Sequence, residues 1–160
     1  SAANAELFRD KNLILTPSDE TDIDSIESIQ TLWNGCGAHT SLMSPYQHDE
    51  MLAMTSHLPH LLAFTYMNHM LSNSTEKNED TLLNFAGSGF RDFTRIASSS
   101  PEMWKDICLA NRRLLLQQIR VYQNELARMN EILEDGAGAV LEKFFLNAQI
   151  TRGKFLKDKH

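Results

Sequence analysis

From Ser100-Pro101 onward, Trp104, Cys108, Asn111, Leu115, Ile119, Tyr122, Leu126, Met129 and Leu133 return in steps of three and four. That is the α-helical period, and it puts these side chains on one stripe of a single helix. Ser100 can cap the helix and Pro101 suits its first turn, while Gly136-Ala137-Gly138 ends it. Roughly 30 residues at about 1.5 Å each make a rod of about 45 Å. A helix of that length with a sustained apolar seam packs against another long helix, either as a core helix of its own chain or in a second subunit. The second arrangement is the expectation here: a homodimer joined through long helices.

The rest of the chain follows the helical pattern with one exception. Asn12-Leu13-Ile14-Leu15-Thr16, closed by Pro17, reads as a short strand and is the only strand the sequence predicts. A lone strand needs a partner, from a second copy or from a sheet outside these residues. The second option assigns residues 1–17 to the edge of a separate domain and residues 18–160 to a helical domain. Caps in residues 18–24 open a helix along Ile23, Ile26, Ile29, Leu32 and Trp33, which Gly35 and Gly37 end. Ser44-Pro45-Tyr46-Gln47 is a capping box, and the helix it starts should run to about residue 71 with a kink or break at Pro59. Residues 72–80 are polar and read as a loop. Gly87-Ser88-Gly89 leads into a short segment over 90–97, and a shorter amphipathic helix follows Gly138 to about residue 150, before a frayed basic tail at 154–160. The fold class is all-α, with a long C-terminal helix and one short N-terminal strand.

Composition removes several classes of function. With 42% hydrophobic residues in 160, the chain can build a core and is not a disordered tail. No apolar run approaches the roughly 18–20 residues of a spanning helix, and the start SAANAELFRD has no signal-peptide pattern, so no membrane partner is expected. A net charge of -6 argues against a nucleic-acid partner. Cys36 and Cys108 form no CxxC pair, which fits a reducing cytoplasm. The pairs Gly35/Gly37, Gly87/Gly89 and Gly136/Gly138 lack the third glycine of a dinucleotide fingerprint, and there is no P-loop. No cofactor is expected to bind this chain alone.

Two clusters can carry chemistry. Ser56-His57-Leu58-Pro59-His60 puts two imidazoles three residues apart on one helix side, beside a proline that frees a carbonyl. They could be packing residues of a helix interface, hydrogen-bonding groups for a polar substrate or, with His48 and Asp49, metal ligands. The nine residues between His48 and His57 set those two on opposite sides of a straight helix, so no metal site is expected. In the second cluster Arg91 and Arg95 lie four apart on a short segment, suited to binding a carboxylate, or to an ordinary surface ion pair with Asp92.

Taken together, His48-Asp49, SHLPH at 56–60, GFRDFTRIA at 89–97 and PEMWKDI at 101–107 resemble the carboxy-terminal half of the prephenate/arogenate dehydrogenases in order and in spacing, and the opening ELFRDKNLILTP at 6–17 resembles the last strand of that family's nucleotide-binding domain. The resemblance covers about residues 5–135. It implies an enzyme that oxidises prephenate, with loss of carbon dioxide, to 4-hydroxyphenylpyruvate in tyrosine biosynthesis, passing hydride to NAD or NADP. The cofactor and the catalytic histidine would lie in an amino-terminal Rossmann domain, so this chain would hold no catalytic residue and be inactive alone. By the same resemblance Arg95 would bind the ring carboxylate of prephenate and His60 would line that pocket. His57, Arg91, Asp92 and Trp104 would be supporting or cross-subunit residues, and tyrosine could inhibit from the same place. The competing expectation is a non-catalytic helical module for dimerisation or tyrosine sensing.

Overall fold

In a computed structural model of the chain, residues 4, 6–73 and 84–157 are described. The strand expected at the amino end is present as β1 (Asn12–Leu15), but it has a partner within the chain. β2 (His39–Leu42) lies parallel to it, with Asn12 opposite His39 and Leu15 opposite Leu42. The ladder continues at both ends, where His39 N–H donates to Lys11 O at 2.8 Å and Met43 N–H to Leu15 O at 3.1 Å. The expectation of a single strand is therefore corrected to a two-stranded parallel sheet. His-Thr-Ser-Leu has no run of β-branched or aromatic residues, so its pairing is set by the chain returning beside β1 rather than by local preference.

Helix α1 (Ile23–Gly35) connects the two strands and packs on β2. Asp22 caps it by accepting from Ser25 N–H at 2.9 Å. Its far end closes on Gly37 at φ +85, the left-handed conformation that glycine adopts without strain. A Cβ there would also stand 3.3 Å from the Arg9 backbone. Phe8 packs edge-on against Trp33, their centroids 4.8 Å apart.

Ser44 and Gln47 form the expected capping box: Gln47 N–H donates to Ser44 Oγ at 3.2 Å and Ser44 N–H to Gln47 Oε1 at 3.0 Å. Helix α2 (Pro45–Leu52) then passes into a π-helical turn (Ala53–His57) and α3 (Leu58–Asn73). The irregularity expected at Pro59 thus falls just before it. Proline has no N–H for the carbonyl one turn back and its ring crowds that turn. The wider turn, in which Leu58 N–H donates to Ala53 O, accommodates both effects. Residues 74–80 of the expected polar loop lie outside the described residues.

After α4 (Ser88–Thr94) comes a 3₁₀ turn (Arg95–Ser98), and both pack on α3. The long rod expected from residue 101 is two helices, α5 (Pro101–Ala110) and α6 (Arg112–Glu134), because Asn111 leaves helical geometry at φ -101, ψ 25. Helix α7 (Gly138–Lys157) extends beyond the expected end near residue 150, and it takes in residues expected to fray. The chain divides into two compact units, Ser1–Leu115 and Leu116–His160. The first holds a core of Ala38, Ala53, Leu58, Ala63, Trp104, Leu114 and Leu115. In the second, Ile132 is buried while Leu126, Leu133, Phe145, Leu146 and Ile150 stand exposed. The all-α class holds, with the small sheet as the one exception among the described residues.

Candidate functional site

The π-helical turn and the first turn of α3 set His57 and His60 on the side of the helix that α5 covers with Trp104. The His60 ring stacks on the indole with centroids 3.8 Å apart and planes 20° from parallel. The His57 ring meets the same indole edge to face at 6.1 Å. His57 and Trp104 are buried, at 8% and 7% exposure, so the cluster is part of the core as well as a candidate site.

Asn111, at the break after α5, completes the cluster. Its side-chain Nδ2 donates to Asp49 O at 2.7 Å and lies 3.2 Å from His57 Nδ1. Burial is the largest influence on His57 and holds its pKa below the usual histidine value, with the Asp49 charge pulling the other way and His48 and His60 adding to the lowering. The ring is therefore neutral near pH 7. His60 Nδ1 is 2.9 Å from Ser56 O, and since a carbonyl can only accept, that nitrogen carries a hydrogen. Trp104 Nε1 is buried and has no hydrogen-bond partner among the described residues. A buried donor left without an acceptor costs about 1–3 kcal/mol, and such groups often mark where a ligand atom belongs.

The basic residues lie on elements that pack against the same helix α3. Arg95 opens the 3₁₀ turn that packs on α3, the helix bearing His60. Arg91 and Asp92 lie on α4, also against α3. All three are exposed, and none of them forms an ion pair among the described residues. The surface pairing of Asp92 with either arginine, one of the alternatives open from sequence, is thus not formed. His48 pairs instead with Asp49, Nδ1 to Oδ1 at 3.0 Å. Among the described residues no three His, Cys, Asp or Glu side chains are grouped to hold a metal ion. No described helix is long and apolar enough to cross a membrane.

Asn111 is the residue that sequence reasoning missed as a site residue. It counted only as one step of the apolar seam, although an amide on an otherwise apolar stripe is itself a signal that something nearby needs hydrogen bonds. Chemically, the arrangement offers ring N–H groups and unpaired guanidinium groups on neighbouring elements, a set suited to oxygen acceptors and carboxylates.

A mostly helical domain with a buried imidazole–indole cluster, and with exposed arginines on elements packed against the same helix, is the class these residues define. The family described as "Prephenate dehydrogenase, dimerization domain" matches residues 44–147, and the chain belongs to that family. It is 35% identical over 151 residues to the cyclohexadienyl dehydrogenase of Zymomonas mobilis, covering 94% of this chain and 51% of that protein. It is also 35% identical over 149 residues to the prephenate dehydrogenase of Bacillus subtilis, covering 93% of this chain and 40% of that one. Among solved structures it is similar to prephenate dehydrogenase from A. aeolicus in complex with hydroxyphenyl propionate and NAD+, at a TM-score of 0.87 and 33% identity, over 94% of this chain and 52% of the other. The chain thus spans about half the length of the curated relatives it matches.

Proposed function

We propose that this chain is the helical, substrate-binding and dimerisation half of a prephenate dehydrogenase. The complete enzyme would convert prephenate to 4-hydroxyphenylpyruvate and carbon dioxide, with NAD or NADP taking the hydride. The observation that carries the reading is the packing of the Arg95 turn onto the helix of His60, in a chain whose residues 44–147 match that family. Prephenate is a dianion and this chain has a net charge of -6, so the pocket must be locally basic. Arg95 would take the ring carboxylate and His60 would line the pocket beside it. His57, Arg91, Asp92 and Trp104 would support the site, with some of these roles exercised across a subunit boundary. The share of this half in catalysis is positioning and charge matching, the hydride and proton steps belonging to the nucleotide-binding half.

The unit β1–α1–β2 supports a junction with such a half. Parallel strands joined by a helix are the building block of sheets covered on both faces, and two of them make a poor sheet alone. The family match begins at residue 44, just past β2. We extend the piece first assigned to residues 1–17 to this whole unit, as the closing part of a nucleotide-binding sheet. Homodimer formation through α6 and α7 belongs to the same reading, given the exposed apolar residues there.

The test is to join this chain to a matching nucleotide-binding half and follow NAD(P)H formation from prephenate, with the chain alone as control. Activity that returns only in the joined protein is the expected result, and no prephenate-dependent reduction in a folded joined protein would sink the reading. Calorimetry on this chain with prephenate and with tyrosine separates the alternative: tight tyrosine binding with no effect of prephenate would favour a sensing module.

A further inference from the structure

We infer that Asn111 is a positioning residue, whose carboxamide holds His57 as the Nε2–H tautomer and so makes that ring a hydrogen-bond donor toward the ligand. The inference rests on the proposed function for the identity of the ligand but not for the tautomer. Asn111 is 7% exposed and sits at the helix break between α5 and α6. Its orientation follows from its partners. Asp49 O is a backbone carbonyl and can only accept, so the side-chain atom 2.7 Å away must be the amide nitrogen. The second hydrogen of that nitrogen is directed at His57 Nδ1, 3.2 Å away. Nδ1 must then offer its lone pair, and a neutral imidazole with a bare Nδ1 carries its hydrogen on Nε2. That Nε2–H has no acceptor among the described residues.

His60 is wired in the opposite sense. Its Nδ1–H is taken by Ser56 O, so in the neutral ring Nε2 is the acceptor. Two imidazoles three residues apart, both against Trp104, therefore present unlike ends, and Asn111 supplies the difference. His57 joins Trp104 Nε1–H as a second ring N–H without an acceptor among the described residues, which matches a ligand that brings carboxylate or keto oxygens. The groups able to disturb the arrangement are His48 and Asp49 of α2 and His60 of α3, while α5 and α6 bring Trp104 and Asn111 against the ring without charge. An aspartate at 111 would accept from the ring instead of donating, pulling a proton onto Nδ1.

Nitrogen-15 NMR of histidine-labelled protein decides the point. In the wild-type chain near neutral pH, His57 Nδ1 should resonate as an unprotonated nitrogen and Nε2 as a protonated one. In Asn111→Asp, Nδ1 should become protonated, and in the full-length enzyme KM for prephenate should rise about tenfold with kcat changed far less, the loss expected for one hydrogen bond to a charged group. A wild-type ring protonated at Nδ1 overturns the inference, and this measurement stands even if the variant does not fold. A folded Asn111→Asp protein with an unchanged tautomer or an unchanged KM overturns it too. If the wild-type tautomer is as stated but saturating prephenate shifts no resonance of His57, His60 or Trp104 in an otherwise active enzyme, the donor role toward this ligand is overturned. An enzyme inactive on prephenate would instead refute the functional reading and leave the tautomer standing.

Discussion

At the residue scale, the proposed function rests most heavily on Arg95. It is exposed, without an ion pair among the described residues, on a turn that packs against the histidine helix. If the proposed function holds, Arg95→Ala in the protein joined to a nucleotide-binding half should weaken prephenate binding by about 10–100-fold, the range for one charge-assisted contact with a carboxylate, while leaving the melting temperature nearly unchanged. Substrate titration and thermal melting together check this, and wild-type affinity in the variant would remove Arg95 from the site. His57 predicts a pH effect of definite sign. Its folded-state pKa lies below its ordinary value of 6.5, so the unfolded chain binds the proton more readily. The stabilisation is full above about pH 6.5 and declines as acid protonates the ring, since an imidazolium cannot accept from Asn111. Denaturation midpoints should fall between about pH 7.5 and 5.5, and His57→Gln should flatten part of that slope.

Elements differ in how far they can be read before folding. The capping box at Ser44 was legible because its bonds run between neighbours in sequence, and Ser44→Ala should cost about 1 kcal/mol in chemical denaturation. Gly37, by contrast, combines φ +85 with a close approach to Arg9, so Gly37→Ala should destabilise by about 1–2 kcal/mol, and a neutral result would show that the turn relaxes. The strand β2 was not legible, since four residues with one leucine carry no periodic signal and acquire their conformation from β1 across 27 positions of register. The division of the long rod at Asn111 was hidden for a related reason. Apolar periodicity runs through the break, and what stops the helix there coincides with bonds to residues more than 50 positions away. The histidine and tryptophan of the site were legible as residues; their stacking was not, because no local rule specifies which ring faces which.

At the scale of the whole molecule, burial is sparse: among the described residues no large side chain is completely buried. Leu126 is half exposed, and Leu133, Phe145, Leu146 and Ile150 of α6 and α7 stand exposed too, apolar surface of the kind that interaction faces carry. A second copy is the proposed cover, in keeping with the family to which residues 44–147 belong. Leu126→Asp should then weaken dimerisation by about 2 kcal/mol or more, a thirtyfold or larger shift in the dissociation constant by analytical ultracentrifugation, with helicity retained. Sedimentation identical to wild type would place the interface elsewhere.

The stack of His60 on Trp104 has an optical consequence. An imidazole stacked at van der Waals distance quenches an excited indole, and the quenching depends on how closely the two rings lie. Of the two tryptophans, Trp33 lies against Phe8 and Trp104 against His60, so the emission of Trp104 is the one that reports on this imidazole. An occupant that parts the stacked rings would announce its arrival in that same light, with no label attached.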